Sequence, residues 1–187
     1  MRISGGGARG ITLAVPKGDA VRPATDGMRQ AVFSSLAAYI PGARFLDLFA
    51  GSGAYGLEAY SRGAAGGTFV ERNARAAECL RRNIAAVSRS LKQAGDEVTA
   101  VEADALSLPV GIGGLPDLIF VDPPYDIIPE VAPLLFAKWS DALPADWGGG
   151  IVFEMPGEQS LEASGWTCRK RLGRGARQPS VALFVRA

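Results

Sequence analysis

Four consecutive residues carry groups that could hold a planar amine for reaction: Asp122, Pro123, Pro124 and Tyr125. Asp122 and the carbonyl group of Pro123 can each accept a hydrogen bond from an amine hydrogen. Pro124 keeps the preceding residue extended, because a residue before proline avoids the helical region. Tyr125 can stack on the face of a nucleobase, a contact worth about 1–3 kcal/mol. We predict that these four residues form a catalytic site that acts on an amino nitrogen.

This chemistry suits an exocyclic amine of a nucleobase, which is a weak nucleophile because its lone pair is delocalised into the ring. When two acceptors hold both amine hydrogens, the nitrogen can become pyramidal and direct its lone pair at a methyl carbon. Positioning and electrostatics then supply much of the rate, so no strong general base is required. Stacking on Tyr125 helps to offset the cost of extruding a base from its stack. The same residues could also simply end a strand and fill the core, so the interpretation needs support from elsewhere in the chain.

A glycine-rich loop earlier in the chain gives that support. Gly51, Gly53 and Gly56 form a G-x-G-x-x-G pattern between a predicted strand and a predicted helix, where glycine lets the backbone turn tightly and approach a ligand closely. Glu71 ends the next predicted strand and could accept hydrogen bonds from two ribose hydroxyl groups. The pattern is typical of a nucleotide-containing cofactor, and by itself it does not separate a nicotinamide cofactor from S-adenosylmethionine.

Three features favour S-adenosylmethionine. Asp47 precedes the glycines, where a carboxylate would repel a pyrophosphate but suit the ammonium group of this cofactor. Asp104 and Ala105 follow the third predicted strand, where they could recognise adenine, and the Asp-Pro-Pro-Tyr motif has no use in hydride transfer. Acids at strand ends also cap helices, but here they share one sheet edge with the glycines, which is where ligands bind in open α/β sheets. The predicted cofactor-binding residues are Asp47, Phe49, Gly51, Ser52, Gly53, Glu71, Arg72, Asp104 and Ala105.

Composition excludes several other kinds of chemistry. The chain of 187 residues has a formal net charge of +1, no histidine and two cysteines. Without histidine, Ser-His-Asp and Cys-His nucleophile systems and His-ligated metal sites are impossible, and two cysteines cannot form a cysteine-rich zinc site. We therefore expect no metal. Because the sequence shows neither a cysteine pairing pattern nor a signal-peptide segment nor an apolar run of about 18 residues, we expect a cytoplasmic protein without membrane contact.

Basic residues are concentrated near the two ends of the chain. Residues 169–177 contain cations and no acids, and the first 29 residues contain five cations against Asp19 and Asp26. This asymmetry could give a nearly neutral protein a basic face for nucleic acid, although arginines that merely decorate loops would give the same pattern. The candidate substrate contacts in the C-terminal cluster are Arg174 and Arg177.

The elements that must position these residues alternate between strands and helices. The predicted strands are 44–49, 68–70, 98–101, 118–121 and 151–155, and the predicted helices among them are 54–62, 74–91 and 131–139. This order indicates a parallel sheet with helices on both faces, and the last two predicted strands, 166–172 and 181–186, indicate an antiparallel edge. A further helix could run from Thr25 or Asp26 to about Tyr39. We predict one α/β domain over 1–187, with a hairpin arm at 1–24 and a catalytic core at 25–187.

With these residues placed, the chain resembles the RsmD family of 16S ribosomal RNA (guanine-N2)-methyltransferases over nearly its whole length. The matching segments are residues 1–6, 15–18, 22–33, 46–53, 56–59, 61–64, 69–71 and 117–125. The Arg-Pro-x-Thr-Asp segment at 22–26 and the Asp-Leu-Phe-Ala-Gly-Ser-Gly loop at 47–53 are together specific to this family. The Asp-Pro-Pro-Tyr motif is shared by amino methyltransferases that act on adenine, guanine and glutamine.

The resemblance implies a Rossmann-like class I methyltransferase fold: a seven-stranded, mostly parallel sheet with antiparallel C-terminal strands, and an N-terminal hairpin that reaches RNA. It implies S-adenosyl-L-methionine as cofactor and the N2 amine of a guanine in 16S rRNA as target, within an assembling 30S subunit. By similarity, Arg22, Thr25 and Arg29 would lie near the cofactor and the target base. We also expect the enzyme to be a monomer.

Three other hypotheses remain open at this point. A DNA methyltransferase acting on adenine N6 would use the same motif, which does not distinguish adenine from guanine, but it would normally need a separate target-recognition segment that the residues after Tyr125 do not provide. A nicotinamide-dependent oxidoreductase would need only the G-x-G-x-x-G pattern. A non-catalytic RNA-binding relative would have no need for an intact Asp-Pro-Pro-Tyr motif.

Overall fold

The computed structural model describes residues 1–16, 26–173, 175–176 and 178–187. Its strands are β1 Arg44–Leu48, β2 Gly66–Glu71, β3 Val98–Glu102, β4 Leu118–Val121, β5 Gly150–Pro156, β6 Trp166–Leu172 and β7 Pro179–Arg186. They form one seven-stranded sheet in the order β3-β2-β1-β4-β5-β7-β6. The first five strands are parallel, and β7 runs antiparallel to both β5 and β6. The predicted α/β sheet with an antiparallel C-terminal edge is confirmed.

Helices cover both faces of this sheet, as predicted. They are α1 Asp26–Ser35, α2 Ala54–Ser61, α3 Ala74–Leu91 and α4 Ile128–Ala142, the last preceded by a 3₁₀ turn at Tyr125–Ile127. Side chains of a strand point alternately to opposite faces, so β1 gives Phe45 to the core under α1, α2 and α3 and Leu46 to the core under α4. Among the described helices, none offers an apolar stretch of the length that a bilayer requires.

Helices α1 and α4 differ most from their predicted bounds. α1 ends at Ser35 and not near Tyr39, and the Ser35 hydroxyl group donates to the carbonyl group of Val32 at 2.8 Å, a bond that competes with continuation of the helix. α4 begins at Ile128, before its predicted start, and contains Pro129 in its first turn. A proline is tolerated there because the N–H group that it lacks would have had no partner within the helix.

The long helix α3 has the bounds that its sequence pattern predicted. Its apolar residues at helical spacing, among them Leu80 and Ile84, are buried. At its start, the Asn73 side chain accepts hydrogen bonds from the N–H groups of Arg75 and Ala76 at 3.0 and 3.1 Å. Such a cap contributes about 1 kcal/mol. This helix lies behind the glycine-rich loop and fixes its position.

Residues 1–16 form the antiparallel pairing that was predicted for the arm. Arg2 pairs with Thr12 in an isolated bridge. The segment lies against α2, where the Ser61 hydroxyl oxygen accepts a hydrogen bond from the N–H of Ala8 at 3.0 Å, and Ile3 is buried in the core. The rest of the predicted arm lies outside the described residues.

The strand order creates a switch point between β1 and β4. From β1 the chain adds β2 and β3 on one side, and then it returns to add β4 and β5 on the other side. Leu48 and Val121 are paired at the carboxyl ends of the two central strands. Ligands of open α/β sheets bind in the crevice at such a point. The glycine-rich loop follows β1 and the Asp-Pro-Pro-Tyr motif follows β4, so the fold brings both predicted motifs to this crevice.

Candidate functional site

A cleft of about 880 Å³ opens at the switch point. It is walled on one side by the glycine-rich loop and the end of β2, and on the other side by the segment after β4. The predicted site residues that line it are Arg29, Phe49, Gly51, Ser52, Glu71, Arg72, Ala105, Asp122, Pro123, Pro124 and Tyr125. Most of the predicted catalytic and cofactor-binding residues therefore share one cavity.

The glycines of the loop serve two different purposes. Gly51 has a φ of 53°, and a Cβ atom added there would meet nothing within 4 Å, so its backbone faces open cleft. Gly53 has a φ of 86° and begins α2, and a Cβ atom there would lie 2.6 Å from Leu80. Gly51 thus gives a ligand access to the backbone, whereas Gly53 lets the loop pack on α3. Gly53 does not line the cleft.

Glu71 holds the loop in place from the end of β2. Its Oε2 atom accepts a hydrogen bond from the N–H of Gly51 at 2.8 Å, and its Oε1 atom accepts one from the N–H of Asn73 at 2.7 Å. A carboxylate oxygen can accept more than one hydrogen bond. Glu71 therefore fixes the loop and still has accepting capacity that faces the cleft.

Asp47 lies beneath the loop and not in the cleft wall. It is buried, and its Oδ2 atom accepts a hydrogen bond from the N–H of Gly56 at 2.8 Å. Burial raises the pKa of Asp47 to about 7, the Gly56 hydrogen bond opposes this, and Glu71 adds to it. The structure shows Asp47 as a support for the start of α2, and its contact with a cofactor ammonium group stays a prediction.

Asp104 is also outside the residues that line the cleft. Its Oδ1 atom accepts a hydrogen bond from the N–H of Leu106 at 2.8 Å, and its Oδ2 atom lies 3.7 Å from Nη1 of Arg72. Its neighbours Ala103 and Ala105 do line the cleft. The backbone around Asp104, more than its carboxylate, forms this part of the wall.

The Asp-Pro-Pro-Tyr motif is extended at Pro124, and the extended conformation expected of Pro123 stays a prediction. Pro124 has φ −50° and ψ 135°, and its carbonyl group accepts a hydrogen bond from Ile127 at 3.2 Å as the 3₁₀ turn begins. Pro123 is buried, and Tyr125 is 39% exposed in the cleft. Burial, with further contributions from Glu154 and Asp47, raises the pKa of Asp122 well above its usual range.

Sequence reasoning missed Glu154, a buried acid behind the cleft. It is 1% exposed in β5, its Oε2 atom accepts a hydrogen bond from the Tyr55 hydroxyl group at 2.6 Å, and its Oε1 atom accepts one from the Tyr125 hydroxyl group at 3.2 Å. Burial raises the pKa of Glu154, and the two hydroxyl groups and Arg29 oppose that rise. The available signal was an acid inside the apolar run of a predicted buried strand.

Arg29 is the predicted substrate residue that the structure places in the cleft. It is 1% exposed, and its Nη2 atom donates to the carbonyl group of Arg2 and to Asp26, both at 2.6 Å. Its Nη1 atom is buried and has no hydrogen-bond partner among the described residues. The other predicted substrate residues lie outside the described part of the chain: Arg22, Thr25, Arg174 and Arg177.

Asn83 is a second residue that the sequence did not single out. From α3 its Nδ2 atom donates to the carbonyl groups of Ser52 and Ala14 at 2.8 and 2.9 Å, and its Oδ1 atom accepts from the N–H of Ala14 at 2.8 Å. One buried amide therefore ties the glycine-rich loop to the N-terminal segment. Its position on the buried face of an amphipathic helix was the only signal.

Comparisons with known proteins agree with this geometry. A family model described as conserved hypothetical protein 95 matches residues 1–169. The Ribosomal RNA small subunit methyltransferase D of Escherichia coli is 42% identical over 125 residues, a match that covers 67% of this chain and 60% of that protein. The match thus spans less than two thirds of the length of that relative.

Solved structures share the whole architecture. The Escherichia coli protein yhhF is 33% identical, with a TM-score of 0.81 and coverage of 100% of this chain and 97% of that chain. An RNA methyltransferase from Salinibacter ruber in complex with S-adenosyl-L-homocysteine has a TM-score of 0.60 at 15% identity, over 86% of this chain and 91% of that chain, and shows the fold alone. The resemblance to RsmD proteins and the class I methyltransferase fold are confirmed, and the chain belongs to the conserved hypothetical protein 95 family.

Proposed function

We propose that the protein transfers a methyl group from S-adenosyl-L-methionine to an amino nitrogen of ribosomal RNA, and that this nitrogen is N2 of a guanine in 16S rRNA. The observation that carries the proposal is the cleft in which the glycine-rich loop faces the Asp-Pro-Pro-Tyr motif. The name of the Escherichia coli relative supports the RNA class of the substrate. We further propose that the substrate is 16S rRNA within an assembling 30S subunit and that the enzyme acts as a single-domain monomer.

The residues that line the cleft suit this cofactor in their chemistry. The open face of Gly51 would hold the amino-acid part of the molecule, Glu71 would accept the ribose hydroxyl groups, and the wall at Ala105 would hold the adenine. When bound, S-adenosylmethionine supplies a methyl group that is already activated on a positively charged sulfur. The remaining work of the protein is to hold and orient the amine.

The residues after β4 can do that work. Asp122 and the carbonyl group of Pro123 would accept hydrogen bonds from the two amine hydrogens, and Tyr125 would stack on the base. As the nitrogen gains the methyl group it must lose one proton. The raised pKa of Asp122 makes its carboxylate a better acceptor for that proton than an ordinary aspartate.

The experiment that tests this function offers radiolabelled S-adenosylmethionine with three substrates: naked 16S rRNA, free 30S particles and duplex DNA. We expect label in RNA, with transfer to 30S particles at least as fast as to naked RNA, and none in DNA. Label that appears only in DNA would contradict the proposed substrate. Absence of cofactor binding by calorimetry, with tight binding of a nicotinamide cofactor in its place, would contradict the reaction class.

A further inference from the structure

Glu154 connects the two sides of the cleft. Phe153 of β5 pairs with Val121 of β4, so Glu154 comes level with Asp122 at the carboxyl end of the sheet. One of its oxygen atoms accepts the hydroxyl group of Tyr55, which lies in the helix after the glycine-rich loop, and the other accepts the hydroxyl group of Tyr125. The single buried carboxyl group of Glu154 is thus hydrogen-bonded to one residue on the proposed cofactor side and to one residue on the proposed amine side.

We propose that Glu154 is a positioning residue that sets the orientation of the Tyr125 ring for stacking on the target base. The role rests on the proposed function, because it concerns the base that the cleft receives. It assigns to β5 a part in substrate recognition, beyond the contribution of the segment after β4.

One end of this connection is rigid and the other is adjustable. Tyr55 is 4% exposed, and its ring stacks on Phe120 with centroids 5.6 Å apart and lies 6.2 Å from Phe33. Its hydrogen bond to Glu154 is short, at 2.6 Å. Tyr125 is 39% exposed, and among the described residues its ring takes part in no aromatic pair. The 3.2 Å hydrogen bond to Glu154 fixes the position of the Tyr125 hydroxyl group and so restricts the tilt of the half-exposed ring.

A purely stabilising role explains this carboxyl group poorly. Glu154 is 1% exposed and has no ion pair among the described residues. Burying a carboxyl group costs desolvation energy, and no ion pair among the described residues offsets that cost for Glu154. Glu154 accepts hydrogen bonds from two tyrosine hydroxyl groups beside the cleft. Holding these tyrosines in position explains the buried carboxyl group better.

The contact itself can be tested without any activity. Among the described residues, the charged or titratable groups that face Glu154 are Tyr55 from α2, Tyr125 and Asp122 from the segment after β4, and Arg29 from α1. Burial raises the pKa of Tyr125, and Glu154 and Asp122 raise it further. Glu154→Gln removes the charge and keeps an acceptor of the same shape. We expect the Tyr125 ring signals, followed by NMR, to titrate at lower pH in Glu154→Gln than in the wild-type protein.

The substitution Glu78→Gln, at an exposed position of α3, serves as the control, because it should leave the titration of Tyr125 unchanged. An unchanged titration of Tyr125 in Glu154→Gln would overturn the proposal. This outcome is independent of the proposed function, since it can be read in a protein that transfers no methyl group.

The consequence for the reaction is tested by a double-mutant cycle with 30S particles as substrate. A hydrogen bond to a charged group is strong enough that loss of the charge in Glu154→Gln, or of the donor in Tyr125→Phe, should lower kcat/KM for RNA by up to about tenfold. The double variant should be no slower than about twofold below Tyr125→Phe, because Glu154→Gln only weakens the bond that Tyr125→Phe already removes. Affinity for S-adenosylmethionine should stay at the wild-type value in all three.

Multiplicative effects of the two substitutions would overturn the positioning role, because they would show that Glu154 acts independently of Tyr125. If Glu154→Gln fails to fold, Tyr125→Phe alone still decides: a wild-type kcat/KM for RNA would overturn the proposal. If the wild-type protein methylates neither RNA nor 30S particles, the proposed function fails, and the titration still judges the Glu154–Tyr125 contact.

Discussion

The two sides of the cleft differ in how completely their polar groups are paired. On the loop side, Glu71 accepts two backbone N–H groups and Asp47 accepts a third. On the side that would hold the amine, Asp122 and Glu154 are neighbouring acids. Burial and the charge of Glu154 raise the pKa of Asp122. In the same region Nη1 of Arg29 is buried without a hydrogen-bond partner among the described residues.

This difference indicates different tasks. A fully satisfied hydrogen-bond network is rigid, whereas buried groups with unused capacity cost stability unless something pairs with them. The loop side is therefore pre-formed for one ligand. Among the described residues, the side that would hold the amine keeps an unpartnered donor, Nη1 of Arg29, and acids with raised pKa values, which are frequent at functional sites.

The largest effect should follow from a substitution on the reactive side. Asp122→Ala removes one of the two amine acceptors, and we expect methyl transfer to fall by about 10²–10³-fold, the loss typical of a positioned transition-state hydrogen bond. Cofactor affinity, measured by calorimetry, should change by less than about twofold. Asp141→Ala, on the exposed part of α4, is the matched control. Wild-type rates in Asp122→Ala would show that the amine side does not hold the amine.

The pH dependence of stability tests the buried acid on the loop side. The unfolded chain releases the Asp47 proton near pH 4 and the folded chain near pH 7. Between these values the folded protein holds more protons, so its free energy of unfolding should fall as the pH rises, by up to about 4 kcal/mol. Asp47→Asn should flatten this decline in urea denaturation of the ligand-free protein, and the exposed Asp146→Asn should not. Parallel curves for Asp47→Asn and wild type would contradict the assigned pKa.

Two glycine substitutions separate packing from access within the loop. Gly53→Ala should destabilise the fold by about 2–4 kcal/mol, because it combines a left-handed backbone with a collision with Leu80. Gly51→Ala should cost only about 1–2 kcal/mol from its backbone conformation, and it should weaken cofactor binding because its Cβ atom projects into the cleft. Urea denaturation measures the first difference and calorimetry the second. If Gly53→Ala and Gly51→Ala lowered the free energy of unfolding equally, the close packing of the loop at Gly53 against α3 would not matter for stability.

Substitution of Glu71 should have a smaller effect than that of Asp122. Glu71→Gln keeps the size of the side chain but removes the charge that strengthens its bonds to the loop and to a ribose. Loss of hydrogen bonds to a charged acceptor costs about 1.5–3 kcal/mol, so we expect cofactor affinity to fall by about 10- to 100-fold. The exposed Glu78→Gln on α3 is the control. An unchanged affinity in Glu71→Gln would mean that Glu71 acts only on the loop.

The sequence predicted the backbone on both sides of the cleft better than the side-chain contacts behind it. The fold and the strand ends follow from local patterns, so Gly51, Glu71 and Tyr125 could be placed in one cleft from spacing alone. β4, β6 and α3 even have the predicted bounds. Backbone and side-chain preferences that act over a few residues determine such features.

The sequence could not predict partners that come from distant parts of the chain. Glu154 accepts hydrogen bonds from the hydroxyl groups of two tyrosines that lie on other elements. Asn83 forms hydrogen bonds with Ser52 and with the N-terminal segment. The burial of Asp47 beneath the loop, and not in the cleft, depends on how α2 packs. These contacts arise from tertiary packing, which leaves only a weak local pattern, such as one acid within an apolar strand.

The identity of the methylated base tests the central claim most directly. We propose to digest 16S rRNA from 30S particles after reaction with the wild-type protein, and to identify the labelled nucleoside by mass spectrometry, with Asp122→Ala as the blank. We predict a single labelled product, N2-methylguanosine, at one position, and none with the variant. Label in N6-methyladenosine, or equal labelling by Asp122→Ala, would contradict the account.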